Sequence, residues 1–120
     1  MRIELPWPDK HLSPNARIHW AAKARYKKEA HEEAYFLAWQ VVIDTHEWMK
    51  VDTGYSLSLT FCPPDRRRRD LDNIEAACKA AFDGMCAGLG IDDSQIIETS
   101  KRWGEVVKGG AVIVEIEEVK

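Results

Sequence analysis

Apolar and polar positions change period along the chain, and each change marks an element. Residues 2–6 (Arg2-Ile3-Glu4-Leu5-Pro6) alternate and predict a short first strand, stopped by Pro6 and Pro8. Residues 7–16, Trp7 to Ala16, are rich in Pro, Asp, Ser and Asn and read as a loop. From about Arg17 to about Asp44 the period becomes helical. Ala30, Ala34, Leu37, Ala38 and Val41 form one stripe, while the first half carries Lys and Arg and is expected to be exposed. Residues 55–62 alternate again, with Tyr55, Leu57, Leu59 and Phe61 on one face, and Pro63-Pro64 ends the strand. A second helix is predicted from about Leu71 to Ala87, with Leu71, Ile74, Cys78, Ala81, Phe82, Met85 and Leu89 as its apolar stripe and Gly88 and Gly90 as its closing glycines. Residues 95–107 read as a strand, Lys108-Gly109-Gly110 as a hairpin turn, and 111–119 as a last strand with Val112, Val114 and Ile116 on one face.

The order is therefore β-α-β-α-β-β. It predicts an α+β fold, two helices packed on a small mixed sheet, in a single domain spanning residues 1–120. No apolar run approaches the roughly 20 residues of a membrane span. The early polar residues Arg2 and Glu4 do not suit a signal peptide, so a cytoplasmic protein with no membrane partner is expected. Three cysteines, Cys62, Cys78 and Cys86, with no C-x-x-C pair, suit neither a disulfide framework nor a zinc site. Cys78 and Cys86 fall on the apolar stripe and read as small core residues.

The net charge of −3 argues mildly against a nucleic-acid partner, but its distribution alters that. Positive charge gathers between Lys10 and Lys28 and in the run Arg66-Arg67-Arg68-Arg69; acidic residues gather elsewhere, at Glu29, Glu32, Glu33, Glu115, Glu117 and Glu118. A chain polarised in this way can bind a polyanion on one face.

The chemistry concentrates in Asp65-Arg66-Arg67-Arg68-Arg69-Asp70-Leu71-Asp72-Asn73. Asp70 and Asp72 straddle a strand-to-helix junction, where residues two apart can point the same way. Carboxylates held together repel unless a cation lies between them. Oxygen ligands of this kind favour Mg²⁺ or Mn²⁺. A second pair, Asp92-Asp93, follows the helix, and the returning chain can bring one of them beside Asp70 and Asp72. On a straight helix Asp72 and Lys79 share a face about 10 Å apart along the axis, with Glu75 between them. A lysine there could stabilise charge developing on a phosphodiester. The arginines could seat the phosphate backbone bidentately.

Plainer readings exist for each part. Asp70 is a favoured N-cap, and Asp72 and Asn73 complement a helix dipole. Asp92-Asp93-Ser94 can be a polar turn, and Lys79 can pair with Asp83 four residues on. The four histidines lack ligand spacing, the basic start of the first helix reads as a solvated face, and Trp7, Trp20, Trp39 and Trp48 read as packing residues. The combination of D-x-D, four arginines and a later aspartate pair favours chemistry.

At those residues a family resemblance appears. Arg66-Arg67-Arg68-Arg69-Asp70-Leu71-Asp72-Asn73, then Lys79-Ala80-Ala81-Phe82-Asp83, then Ile91-Asp92-Asp93-Ser94-Gln95, resemble the signature of the RusA family of Holliday-junction resolvases. Leu5-Pro6-Trp7-Pro8 and Lys108-Gly109-Gly110 resemble it as well. The resemblance implies a homodimeric, Mg²⁺- or Mn²⁺-dependent endonuclease of phage or prophage origin. Such an enzyme cuts four-way DNA junctions by paired symmetric incisions and uses no small-molecule cofactor. It carries metal binding to Asp70, Asp72 and Asp93, with Asp92 the weaker member, catalysis to these and Lys79, and DNA contact to Arg69 and Asn73; Arg66, Arg67 and Arg68 join them on charge. One departure is that the familiar lysine lies four residues after the second Asp, where this chain has Ala76. Residues 9–20 also depart, and no aromatic wedge for the junction centre is identified there. The rival readings are a flap or fork nuclease, a junction-binding protein without catalysis, and a metal-dependent nucleotide hydrolase.

Overall fold

The computed structural model describes residues 1–119. Its elements are β1 (Arg2–Pro6), α1 (Trp20–Thr45), β2 (Tyr55–Cys62), α2 (Leu71–Ala77), α3 (Lys79–Leu89), β3 (Ile96–Trp103) and β4 (Ala111–Glu118). Short 3-10 turns occupy Lys10–Leu12 and Asp93–Gln95. The strands form one mixed sheet in the order β1-β4-β2-β3. β4 lies antiparallel to β1 and β2, and β3 runs parallel to β2 along an edge. A parallel neighbour cannot be reached by a hairpin, so the chain between β2 and β3 must cross over, and α2 and α3 are that crossover. The expected α+β fold is the observed one.

Alternation along the strands builds the core. Ile3, Leu5, Tyr55, Leu59, Phe61, Val112, Val114 and Ile116 are buried together with Ala34, Ala38 and Val42 of α1 and Met85, Cys86 and Leu89 of α3. The stripe expected on α1 is present but rotated slightly: Ala34 and Ala38 are buried, Ala30, Leu37 and Val41 only partly, and Val42 completes the buried set. Among the described residues no polar or charged side chain is buried, and no helix is long and apolar enough to cross a membrane.

The single helix expected over 71–87 is in fact two. Cys78, at φ −89° and ψ −1°, separates α2 from α3. A ψ near zero tightens the turn, so the Cys78 N–H reaches both Ile74 and Glu75 carbonyls, at 3.2 and 3.0 Å. Gly88 does not close the second helix, because it lies inside α3; Gly90, at φ 75°, is the left-handed C-cap. Gly88 and Gly84 instead set the spacing to α1. A Cβ on Gly84 would stand 2.0 Å from the His31 carbonyl oxygen, and one on Gly88 2.4 Å from that of Tyr35. Both pairs are four residues apart, so the two backbones touch along successive turns.

β3 is shorter than the expected 95–107. Gln95 belongs to the preceding 3-10 turn, and pairing with β2 ends at Phe61 and Trp103. Beyond Phe61, β2 gives way to Pro63-Pro64, which have no N–H for a ladder. The next residues are fastened differently, Gly104 N–H to the Phe61 carbonyl at 2.8 Å and Val107 N–H to that of Pro63 at 3.0 Å. The tryptophans divide. Trp7 packs against the core, whereas Trp20 and Trp48 are 77% and 66% exposed, lying before and after the buried stripe of α1. Trp48 leans edge-on against Trp39.

Candidate active site

The chain leaves β2 through a turn organised by Asp65. Its Oδ1 accepts the Arg67 N–H and pairs with the Arg69 guanidinium, both at 2.9 Å. The Arg67 N–H, and then Arg69, hold the Asp65 carboxyl below its ordinary value of 3.8 against some desolvation. Arg69 donates further to the carbonyls of Asp65 and Arg67 at 3.2 and 3.1 Å and lies over the Trp7 ring. Its side chain is only 15% exposed, so it braces the turn. Arg66, Arg67 and Arg68 are exposed, and their guanidinium groups form no hydrogen bond or ion pair among the described residues. The four arginines of the sequence thus divide into one internal brace and three free cations.

Asp70 caps α2. Its Oδ1 accepts the N–H groups of Asp72 at 2.8 Å and Asn73 at 3.2 Å, satisfying two donors that the helix start leaves unpaired. Asp72 sits in the first turn and points elsewhere. With Glu75 and Lys79, Asp83 and Asp93, it lines a cavity of about 390 Å³ floored by Leu57, Leu59 and Thr99 of the sheet. Asp70 and Asp92 do not line this cavity. Lys79 opens α3 and pairs with Asp83 at 3.2 Å, the i,i+4 contact anticipated for it. The break at Cys78 means that Asp72 and Lys79 do not share one straight axis, yet both reach the same cavity.

Asp93 is set by the turn after α3. There Asp92 N–H bonds Gln95 Oε1 at 3.0 Å, and the Asp92 carboxylate accepts the Ser94 hydroxyl at 2.8 Å. The Gln95 amide nitrogen donates to the carbonyls of Lys50 and Thr53 at 2.9 and 3.0 Å. Gln95 therefore ties the loop before β2 to the aspartate pair, with Asp92 turned into the turn and Asp93 left to the cavity. Asp93 also lies against Cys86: burial, then the Asp93 charge, pushes that thiol up to about 11.

One partner of the cavity's carboxylates was not foreseen. Lys101, on edge strand β3, places its ammonium 2.5 Å from Asp72 Oδ1 and 2.9 Å from Glu75 Oε1. Those two bonds hold it above its ordinary value. In sequence it lies 29 residues from Asp72, within a segment that signals only a strand. The β2–β3 register, Leu57 to Thr99 and Leu59 to Lys101, puts it on the helix-covered face. The basic half of α1 is largely exposed, as expected, and its Lys23 and Lys27 line a second groove of about 280 Å³ that shares Lys79 and Asp83 with the first cavity. Among the described residues no three His, Cys, Asp or Glu side chains stand close enough to form a ready cage for an ion. What the fold brings to one cavity is four carboxylates, Asp72, Glu75, Asp83 and Asp93, together with Lys79, while Lys101 reaches Asp72 and Glu75 from the neighbouring strand.

The chain is similar to known proteins over most of its length. The family model described as "Endodeoxyribonuclease RusA" matches residues 8–117. A protein of Escherichia coli strain K12 named "Crossover junction endodeoxyribonuclease RusA" is 34% identical over 98% of this chain and 93% of its own length. The protein of the same name from Enterobacteria phage 82 is 33% identical over the same shares. An uncharacterized protein of Xylella fastidiosa is 35% identical over 95% of this chain and 74% of its own.

Proposed function

The chain belongs to the RusA family of endodeoxyribonucleases, and on that footing we propose that it resolves four-way DNA junctions by metal-dependent, paired and symmetric phosphodiester cleavage. The observation that carries this reading is that Asp72 and Asp93, from opposite ends of the α2–α3 crossover, line one cavity. Their chemistry fits a hard divalent cation, because carboxylate oxygens are the ligands Mg²⁺ and Mn²⁺ prefer. Asp72 and Asp93 would hold the ion; Asp70, a cap outside the cavity, would join them only by turning its second oxygen inward, and Asp92, bonded to Ser94, is the weaker member. When bound, such an ion supplies an activated water and a positive charge beside the phosphate.

The chain's own residues do the rest. Lys79, steadied by Asp83, offers an ammonium to the charge that develops on the scissile phosphate. Arg66, Arg67 and Arg68 seat the backbone of the DNA, and Arg69 keeps the turn that presents them. Asn73, half-buried in the first turn of α2 four residues beyond Arg69, would contact the same strand. A homodimer matches a junction of near two-fold symmetry, one site for each strand cut. The enzyme needs no small-molecule cofactor and works in the cytoplasm. A protein that only bound junctions would use the arginines but has no need of four carboxylates on one wall.

The test is incubation of the purified protein with a synthetic four-way junction, a flap, a fork and a matched linear duplex, in Mg²⁺, in Mn²⁺ and in EDTA. Paired nicks in the junction alone, absent in EDTA, are expected. Preferential cutting of the flap or fork would transfer the reading to another branched substrate. Tight junction binding without cleavage in either metal would refute the enzyme reading. Hydrolysis of free nucleotides, with little salt-dependent affinity for DNA, would point to a nucleotide hydrolase.

A further inference from the structure

We propose that Lys101 is the resident counter-cation of the Asp72–Glu75 pair: it bridges the two carboxylates until a divalent ion arrives, and competes with that ion for Asp72. The inference rests on the metal-dependent reading above. Asp72 and Glu75 are one helical turn apart on α2, so their carboxylates face the same space and repel. The Lys101 ammonium occupies that space, at 2.5 Å from one and 2.9 Å from the other. Lys79, which lines the cavity, is paired with Asp83, so it does not neutralise this pair. Lys101 stands on an exposed edge strand, yet its side chain is only 31% exposed, reaching over to the two carboxylates of α2. Asp72 is 81% exposed at its side chain, open to an ion from solvent.

An ion binding to Asp72 Oδ1 must displace the ammonium from that oxygen, since both need the same lone pairs. Displacement leaves a free cation on the edge strand beside α2. Lys101 is thus a positioning residue: it keeps the carboxylates in place while the site lacks metal, and it weakens metal affinity as a consequence.

The experiment is calorimetric titration of the full chain with Mn²⁺, comparing wild type, Lys101→Met, Lys101→Arg and Asp72→Asn. Lys101→Met is expected to bind Mn²⁺ about tenfold more tightly than wild type, the scale of one charge-assisted hydrogen bond removed from competition. Lys101→Arg, which keeps the charge, stays within about twofold. No gain in Lys101→Met, or an equal gain in Lys101→Arg, overturns the proposal. Loss of binding in Asp72→Asn identifies the site, so a failure confined to the Lys101 variants leaves the metal reading standing, whereas wild type that binds no Mn²⁺ sinks both. Should Lys101→Met not fold, lysine-labelled wild type observed by NMR during Mg²⁺ titration answers the same question. The Lys101 ε-methylene signal moves to that of a free lysine if the bridge opens, and a signal unmoved at saturation contradicts it.

Discussion

The two faces of α3 are held in place by opposite means. Towards α1 the helix presents Gly84 and Gly88, with no side chain at all, and the backbones meet at distances that exclude a methyl group. Towards the sheet edge it presents Lys79 and Asp83, with Phe82 and Cys86 beneath them, to a cavity whose walls carry charge. The first face is fixed by contact and tolerates no added atom. The second is fixed by charge pairs that remain near solvent and can exchange partners. The proposed binding of an ion and a phosphate calls for the second kind of surface, with the first kind on the same helix holding it in place.

Substitutions should separate the two faces. The largest effect is expected on the α1 side. Gly84→Ala forces a Cβ against the His31 carbonyl and should destabilise the fold by about 3 kcal/mol or more, read from urea unfolding. A loss under about 0.5 kcal/mol would show that the helices can part easily. On the cavity side the loss should be of activity rather than stability. Asp72→Asn is expected to lower junction cleavage by at least about a hundredfold while the protein still binds the junction and unfolds at nearly the wild-type urea concentration.

The arginine turn offers a smaller and more graded contrast. Replacing Arg66, Arg67 and Arg68 together by Ala should weaken junction binding and lower the magnitude of its salt slope by roughly 3, with stability unchanged. Arg69→Ala should instead cost about 1 kcal/mol of stability, because it removes bonds to the Asp65 carboxylate and two carbonyls. If Arg69→Ala changed only DNA affinity, its assignment as a brace would be wrong. The smallest effect concerns acid. Asp65 has a folded value below 3.8, so its contribution is present above that pH and fades as pH falls through the lower folded value. Asp65→Asn should therefore narrow the stability difference between pH 6 and pH 3 slightly, as followed by thermal unfolding.

Much of this was legible in the sequence because it depends on local pattern. Alternation located β1, β2 and β4, and the β-α-β-α-β-β order carried the mixed sheet. The pattern could not show the break at Cys78, where the apolar stripe continues without interruption while ψ shifts to −1°. Nor could it separate Gly88 from Gly90, since a glycine that admits a neighbouring helix and one that ends its own helix look alike until the neighbour is known. The end of β3 depended on where its partner stopped at Pro63-Pro64, not on its own residues. At the site, the aspartates were visible as neighbours in sequence, but which oxygen each would commit was not. Asp70 proved to be a cap, as its residue type allowed. Lys101 was invisible because its partners are brought to it by the parallel β2–β3 register, through a crossover whose exact path no local signal encodes.

The central claim is that the wall shared by Asp72 and Asp93 is where DNA is cut. The most direct measurement compares two adjacent residues, Asp92→Asn and Asp93→Asn, for rate of four-way junction cleavage in Mn²⁺. Asp93 lines the cavity and Asp92 is bonded to Ser94, so Asp93→Asn should lose at least about a hundredfold in rate and Asp92→Asn no more than about tenfold. Equal losses, or a greater loss at Asp92, would contradict the site.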